Sequence, residues 1–375
     1  MAQGRLKKVF PGGNTCQGFF SYYDHIIEPN ATRIFVIKGG PGVGKSTFMC
    51  HIGEKMLQLG YDVEYHCCSS DNGSLDGVCI PSIGVALLDG TAPHVVDPKH
   101  PGAVDTIIHL GDYWNEDLII KNKDAILKSN ARVGKLFKIA YHQLAGARVI
   151  QDELTAYYRE AVNMAGINKI TLDIIDDVLD DAPAQFAREA KVRRLFASAF
   201  TPKGPCHHLD TVLQEVKKLY LITGDCTALA YGILGKVADH VYMNGLDSEV
   251  FHSTLEPAEV DLVVIPDLEI AVMKEIPFIQ FTPQQLVNLK KVKLYNLNKH
   301  LNSSILELYG DEITYARERL HSAVHRAVDY IAAAKAEHDV METYYIPAMN
   351  FEAINVRRDD VLAQILKYAE ESGNE

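Results

Sequence analysis

Ile34-Phe35-Val36-Ile37-Lys38-Gly39-Gly40-Pro41-Gly42-Val43-Gly44-Lys45-Ser46-Thr47 runs from an apolar β-type segment into a loop with four glycines and ends on Lys-Ser-Thr. Apolar residues at helical spacing follow: Phe48, Met49, Ile52, Met56 and Leu57. Strand, G-x-x-x-x-G-K-[ST], helix is the order of a P-loop. Glycines let successive backbone N–H groups turn inward around phosphate oxygens, where a Cβ would obstruct. The helix adds free N–H groups and the positive end of its dipole. In this arrangement Lys45 reaches the β- and γ-phosphates and the Ser46 hydroxyl is a Mg²⁺ ligand. Gly39, Gly40, Pro41, Gly42, Val43, Gly44, Lys45, Ser46 and Thr47 are therefore the expected nucleotide-binding loop.

The 375 residues suffice for two domains with separate cores, and 47% hydrophobic with 23% charged residues is ordinary for a soluble globular chain. A net charge of −12 argues against a general nucleic-acid or membrane-surface partner. No apolar run approaches membrane-spanning length, and the basic residues of Met1–Lys8 lack the apolar segment of a secretory signal. Seven cysteines without paired spacing fit a reducing compartment, so a cytoplasmic location is expected.

Ahead of the loop, Val9–Phe19 leads into a segment that reads as a helix ending at Ile27. Gly60–Cys67 reads as turn then strand, Ser69–Asp76 as a polar loop, and Ile83–Asp89 as a buried strand closing on an acid. From Asn115 to about Ala165 the pattern is helical with one break, which predicts a helical hairpin. A search for repeats finds a second copy of the whole. Phe10, Gly18 and Asp24 have counterparts in Phe196, Gly204 and Asp210, and the strand Arg33–Ile37 matches Lys218–Ile222. Gly60-x-Asp62-x-Glu64 recurs as Gly245-x-Asp247-x-Glu249, and Leu75-Asp76-x-Val78-x-Ile80-Pro81 as Val260-Asp261-x-Val263-x-Ile265-Pro266. Late in each half, Asp152 and Tyr157-Tyr158 pair with Asp339 and Tyr344-Tyr345. The expected fold is α/β: two tandem P-loop NTPase-like three-layer α/β/α repeats, each followed by a long helical hairpin. They divide into 1–190 and 191–375, with helical regions at about 115–165 and 283–375, and the fused pair would be a pseudo-dimeric monomer.

The second copy lacks the chemistry of the first. Opposite Gly39–Ser46 stands Gly224-Asp225-Cys226-Thr227-Ala228-Leu229-Ala230-Tyr231. Ala230 replaces the lysine, Tyr231 the hydroxyl ligand and Leu229 the second glycine, while Asp225 adds repulsion toward an anion. Asp89, which closes its strand as a Mg²⁺-holding acid would, is replaced by Lys274. Asp-Gly is also a turn dipeptide, but the loss of the acid together with the loop favours the metal role.

Other residues fall on the same sheet edge. Thr91, His94 and Asp97 follow Asp89 and could orient water or substrate, as ordinary loop hydrogen bonding also explains. Asp71 is a candidate for positioning water or taking a proton, and its counterpart Glu256 is also acidic; Asp76 recurs as Asp261 and reads as structural. His66-Cys67-Cys68 has the wrong spacing for zinc and reads as buried thiols. The guanine-reading Asn-Lys-x-Asp is missing, since Asn122-Lys123-Asp124-Ala125 and Asn168-Lys169-Ile170-Thr171 fail at the fourth position, which tilts the reading toward ATP.

On Phe10-Pro11-Gly12-Gly13-Asn14-Thr15, Gly39–Thr47, His66–Asp76 and Leu88–Pro98, the chain resembles a poorly characterised bacterial family of tandem P-loop proteins, described generically as ATPases or nucleotide-kinase-like. The resemblance covers nearly the whole chain and implies a P-loop NTPase fold and ATP binding, without a substrate. Members often carry a fuller Gly-Lys-Ser motif in the second half, from which this chain departs. The expected function is a Mg²⁺-dependent ATPase with Lys45, Asp89 and Asp71 at the chemistry and Ser46 and Asp89 on the metal. Lys203, Arg193 or Arg194 would be candidate fingers from the second half. Alternatives are a small-molecule or nucleotide kinase, weakened by the wide spacing of Arg132, Arg148 and Arg159, and a non-catalytic ATP-dependent sensor or assembly protein.

Overall fold

The apolar run at Arg33–Lys38 is an inner strand of a mixed sheet. The computed structural model describes residues 3–92, 96–180, 189–225 and 227–372, in an α/β fold that is 51% helical and 24% strand. The first half contains β1 (Leu6–Val9), β2 (Gly12–Thr15), β3 (Gly18–Ser21), β4 (Arg33–Lys38), α1 (Lys45–Gln58), β5 (Val63–Cys67) and β6 (Leu75–Ile80). It continues with β7 (Val85–Asp89), β8 (Asp105–His109), α2 (Glu116–Ile120), α3 (Lys123–Ala161) and α4 (Met164–Leu179). The second half contains β9 (Val192–Leu195), β10 (Ser198–Thr201), β11 (Gly204–His207), α5 (Leu209–Val212), β12 (Lys218–Thr223) and α6 (Tyr231–Met243). It ends with β13 (Ser248–His252), β14 (Val260–Ile265), β15 (Ile270–Lys274), β16 (Lys291–Asn296), α7 (Ser303–Leu308), α8 (Gly310–Tyr345) and α9 (Phe351–Ser372).

The first sheet has the order β1-β5-β6-β7-β4-β8, with β6 antiparallel to both neighbours and the other pairs parallel. The second has the order β9-β13-β14-β15-β12-β16, with β14 as its antiparallel member. The hairpins β2–β3 and β10–β11 also correspond, so the architecture repeats strand for strand. The two sheets join edge to edge where Phe10 and Phe196 exchange N–H···O bonds of 2.9 and 3.0 Å. No helix among the described residues is long and apolar enough to cross a membrane.

Packing does not follow the sequence halves. α1 lays Phe48, Met49, Ile52 and Met56 on Phe35, Ile37, Val78 and Leu87, and α9, the last helix of the chain, adds Ile354, Val361 and Ile365 to the same core. Reciprocally, α4 buries Ile167, Ile170, Ile174 and Val178 against Val237 and Val241 of α6 and the second sheet. Each half lends its final helix to the other. The link is the antiparallel pairing of α3 with α8. Ala140, Leu144, Ala147, Leu154 and Tyr158 meet Ile313, Ala316, Leu320, Val324, Ala327 and Ile331. At 1.5 Å per residue, the 39 residues of α3 span about 58 Å.

Several expectations are corrected by this architecture. The 115–165 hairpin is a short α2 followed by the single helix α3, because the hydrophobic stripe of α3 is satisfied by α8 from the other half. The helical region at 283–375 begins only after β16, a Lys-bearing edge strand whose outward residues disguise it. The helix read up to Ile27 is the β2–β3 hairpin and a 3₁₀ turn at Tyr23–His25. The expected three-layer arrangement is not reproduced in the first half: the face of the first sheet opposite α1 is covered by a small cluster, Ile26, Cys79, Ala86 and Leu88, that includes no α-helical residue.

The exchange has a direct consequence. Burying Ile354, Val361 and Ile365 contributes about 1.5–3 kcal/mol per side chain, comparable in sum to the stability of a whole domain. A fragment of residues 1–190 is expected to show no cooperative thermal transition alone and to regain one when mixed with 191–375. A sharp melt of the isolated fragment would show that α9 is dispensable.

Candidate functional site

After β4, the chain turns through Gly42 (φ +66°) and Gly44 (φ +89°), left-handed conformations that side chains disfavour. Gly44 caps α1, its carbonyl accepting the first helical bond from Phe48 N–H at 2.9 Å, while buried Val43 anchors the loop in the core. Lys45 opens the helix. Its ammonium donates to Gly39 O (3.1 Å) and Gly40 O (2.8 Å) and lies 3.6 Å from Asp89 Oδ2.

The parallel register of β4 and β7 sets Ile37 beside Asp89 and so brings the acid to the loop. Asp89 Oδ1 accepts from Thr91 N–H (2.8 Å), and Thr91 Oγ1 donates to Gly39 O (2.9 Å), bracing acid and loop together. Ser46 Oγ accepts from Leu75 N–H (2.9 Å), tying the helix start to β6. Thr47 is exposed. Asp97 pairs with Lys38 at 3.0 Å; His94 lies outside the described residues.

Asp71 accepts from Ser74 Oγ (2.8 Å) and Gly73 N–H (3.1 Å) and pairs with Lys335 of α8 at 3.0 Å. Burial would raise its pKa, but these three donors outweigh burial and hold it below the usual carboxylate range. It is therefore an ionised acceptor suited to orienting a donor, and a weak base at neutral pH.

The second half closes over the loop. A Cβ on Gly40 would come within 2.9 Å of the Tyr345 ring, and one on Gly42 within 3.0 Å of Ile346 and 3.1 Å of Glu342. Phe351, at the start of α9, lies beside Gly44. Lys335, Glu342, Tyr345, Ile346 and Phe351 escaped the sequence reading, although the late repeat of Asp152 and Tyr157-Tyr158 as Asp339 and Tyr344-Tyr345 marks the same helix ends. The earlier candidate fingers go elsewhere. Arg193 is held by Glu64 and Glu249 in the seam between the sheets, and Arg194 faces His252. Lys203 is exposed on the β10–β11 turn, whose backbone bonds Asn72. Arg132 pairs with Glu337, and Arg148 and Arg159 face the second half.

At the equivalent place in the second half, Thr227–Ala230 forms a 3₁₀ turn running into α6. Only Glu269 and Phe278 have positive φ among the described non-glycine residues, so neither Thr227 nor Leu229 reproduces the turns of Gly42 and Gly44. Lys274 takes the register position of Asp89, fully buried, 3.0 Å from Asp261 and 4.5 Å over the Tyr231 ring. That ion pair and ring fill the centre that the first half leaves to Lys45 and Asp89. His66 is buried, and burial pushes the Cys67 thiol up to about 12, which suits inert core groups.

Comparison with protein-family models, curated proteins and solved structures finds no match.

Proposed function

We propose that the chain binds Mg·ATP at the glycine-rich loop of its N-terminal half and hydrolyses it, with the second half serving as cover and partner. The observation that carries this reading is the contrast between the two loops. One has left-handed turns at Gly42 and Gly44 and a lysine satisfied, among the described residues, by its own loop carbonyls and a nearby acid; the other runs through a 3₁₀ turn at Thr227–Ala230.

The residues suit the ligands. A Cβ at Gly39 would come within 2.8 Å of Val43, so the cradle tolerates little beyond glycine there. Lys45 would leave the carbonyls for phosphate oxygens, a charge-assisted exchange. Ser46 Oγ and Asp89 are the hard oxygen donors that would hold Mg²⁺, which when bound neutralises charge developing on the phosphates. Thr91 keeps Asp89 aimed at the loop. Asp71, fixed by Lys335, orients rather than deprotonates, and Lys335 is the cation that the second half brings to this edge.

Hydrolysis is favoured over transfer to a metabolite because Arg148 and Arg159 turn toward the other half. The test is phosphate release by the full chain with Mg·ATP, with and without a metabolite panel. Release without an acceptor is expected. ADP formation only with an acceptor would make the protein a kinase, and tight binding without turnover would make it a sensor or assembly protein.

A further inference from the structure

Asp71, held ionised by its donors, is a poor proton acceptor, so hydrolysis at the glycine-rich loop calls for another. The stripe of α8 that lies over the loop carries one. Lys335 pairs with Asp71 at 3.0 Å and also with Asp339. Two helical turns on, a Cβ on Gly42 would come within 3.1 Å of Glu342. Between them stands half-buried His338, its Nδ1 3.5 Å from Glu342 Oε1. Lys335 takes up Asp71 and Asp339, so His338 is the one side-chain partner of Glu342 among the described residues. With Nδ1 turned to this carboxylate, Nε2 has no hydrogen-bond partner among the described residues.

The repeat supplies an independent observation. Its pairing of Asp152 with Asp339 sets Gln151 opposite His338 and Thr155 opposite Glu342. Gln151 donates to the Tyr231 hydroxyl at 3.1 Å, and Tyr231 stands where the first half has Ser46. In the second half, then, this position of the long helix faces the start of the helix after the loop, and the strand-for-strand repeat carries the same facing to His338 and α1. The imidazole and its carboxylate lie over the intact loop and give way to an amide and a hydroxyl over the degenerate one. The cation of the stripe is kept in both, as Lys335 and Arg148.

We propose that His338, oriented by Glu342, accepts the proton of the attacking water at the nucleotide site, an inference that rests on the reading of that site as an ATPase. The water oxygen bonds to the terminal phosphorus while the bond from that phosphorus to the bridging oxygen breaks. ADP leaves with the electrons of that bond, and the proton passes to Nε2 and on to solvent. The groups facing the imidazole are Lys335, Asp339 and Glu342 of α8 and Asp71 of the loop after β5. Burial, helped by Lys335, lowers the His338 pKa below its ordinary value against the pull of the three carboxylates, so the imidazole is neutral at pH 7 and able to accept.

The test is phosphate release by the full chain from Mg·ATP between about pH 5 and 9, with kcat and KM separated, alongside calorimetric titration of a non-hydrolysable ATP analogue. Wild-type kcat should be level above neutrality and fall on the acid side, through a pKa below about 6.5. His338→Asn should lower kcat about 100-fold and flatten that acid limb, with KM and analogue binding within about threefold of wild type. Glu342→Gln keeps the stem against Gly42 and should move the limb to lower pH, because the carboxylate holds the His338 pKa up. A residue with a structural role alone moves no limb. Unchanged kcat in His338→Asn, or an acid limb that persists in it, overturns the proton role and leaves the nucleotide reading standing. Loss of analogue binding in His338→Asn with an unmoved limb in Glu342→Gln makes the pair structural and overturns it too. No phosphate release by the wild-type chain at any pH overturns the inference and the ATPase reading together.

Discussion

Lys45→Ala is expected to lower Mg·ATP turnover by about 10²–10³-fold, the range found when a preorganised electrostatic donor is removed from a transition state. The lysine side chain is 13% exposed and faces Asp89, itself 15% exposed, across 3.6 Å. Among the described residues no neighbouring cation is placed to replace it, because Lys335 is committed to Asp71 and Asp339 and Lys38 to Gly90 O, Val96 O and Asp97. Lys45→Arg should fail as well, since a planar fork cannot reproduce a point charge seated on two carbonyls. Stability without nucleotide should fall by no more than about 1–2 kcal/mol, the size of one hydrogen-bonded charge. The stabilisation conferred by saturating ATP, about 2.7 kcal/mol at a hundredfold excess over Kd, should vanish in the variant. Turnover within a factor of three of wild type would place the chemistry elsewhere in the chain.

Arg193→Met should cost about 3–5 kcal/mol, because it strips the cation from carboxylates that stay largely buried. Two cations and two anions meet in the seam between the sheets. Arg193 bonds Glu64 at 2.6 and 2.9 Å, approaches Glu249 at 3.4 Å and caps the carbonyls of His25 and Ile26. Lys7 bonds Glu249 at 2.6 Å and lies 3.8 Å from Glu64. Burial alone would raise the Glu64 pKa, but Arg193, His66 and Lys7 together hold it well below the ordinary value. A carboxyl depressed in the folded state contributes its full stability above its unfolded pKa, about 4.3, and loses it as pH falls through the lower folded value. Wild type should therefore hold its seam to below pH 4. Without Arg193 the Glu64 pKa rises, and the loss begins at higher pH. Urea unfolding between pH 3 and 7 reads both effects. A cost under 1 kcal/mol with parallel pH profiles would remove the seam from the account of stability.

The strand–turn–helix geometry was legible because it is local: glycines between an apolar run and a helical pattern give the left-handed turns at Gly42 and Gly44, and β7 announces itself by five residues ending in an acid. The repeat was legible as well, and with it the pairing of Asp89 with Lys274 that the strand registers reproduce. The exchange of α4 and α9 was not, since an apolar helix face does not say which sheet it will cover. The α3–α8 pairing did leave a trace. Buried Ala140, Leu144, Ala147, Gln151, Leu154, Tyr158 and Ala161 alternate steps of four and three, the spacing of a helix seeking a long helical partner. Gly134 and Gly146 masked it, each costing about 1 kcal/mol in a helix, a cost that packing against α8 outweighs. Lys335 lay beyond reach because it meets Asp71 only through that pairing.

The central claim is that one anion cradle exists, in the first half, closed by helices of the second. Calorimetric titration with Mg²⁺ and a non-hydrolysable ATP analogue tests it most directly. The account predicts one site per chain, lost in Lys45→Ala and unchanged in Ala230→Ser. Two sites per chain, or a single site indifferent to Lys45 and abolished by changes at Ala230 and Tyr231, would contradict it.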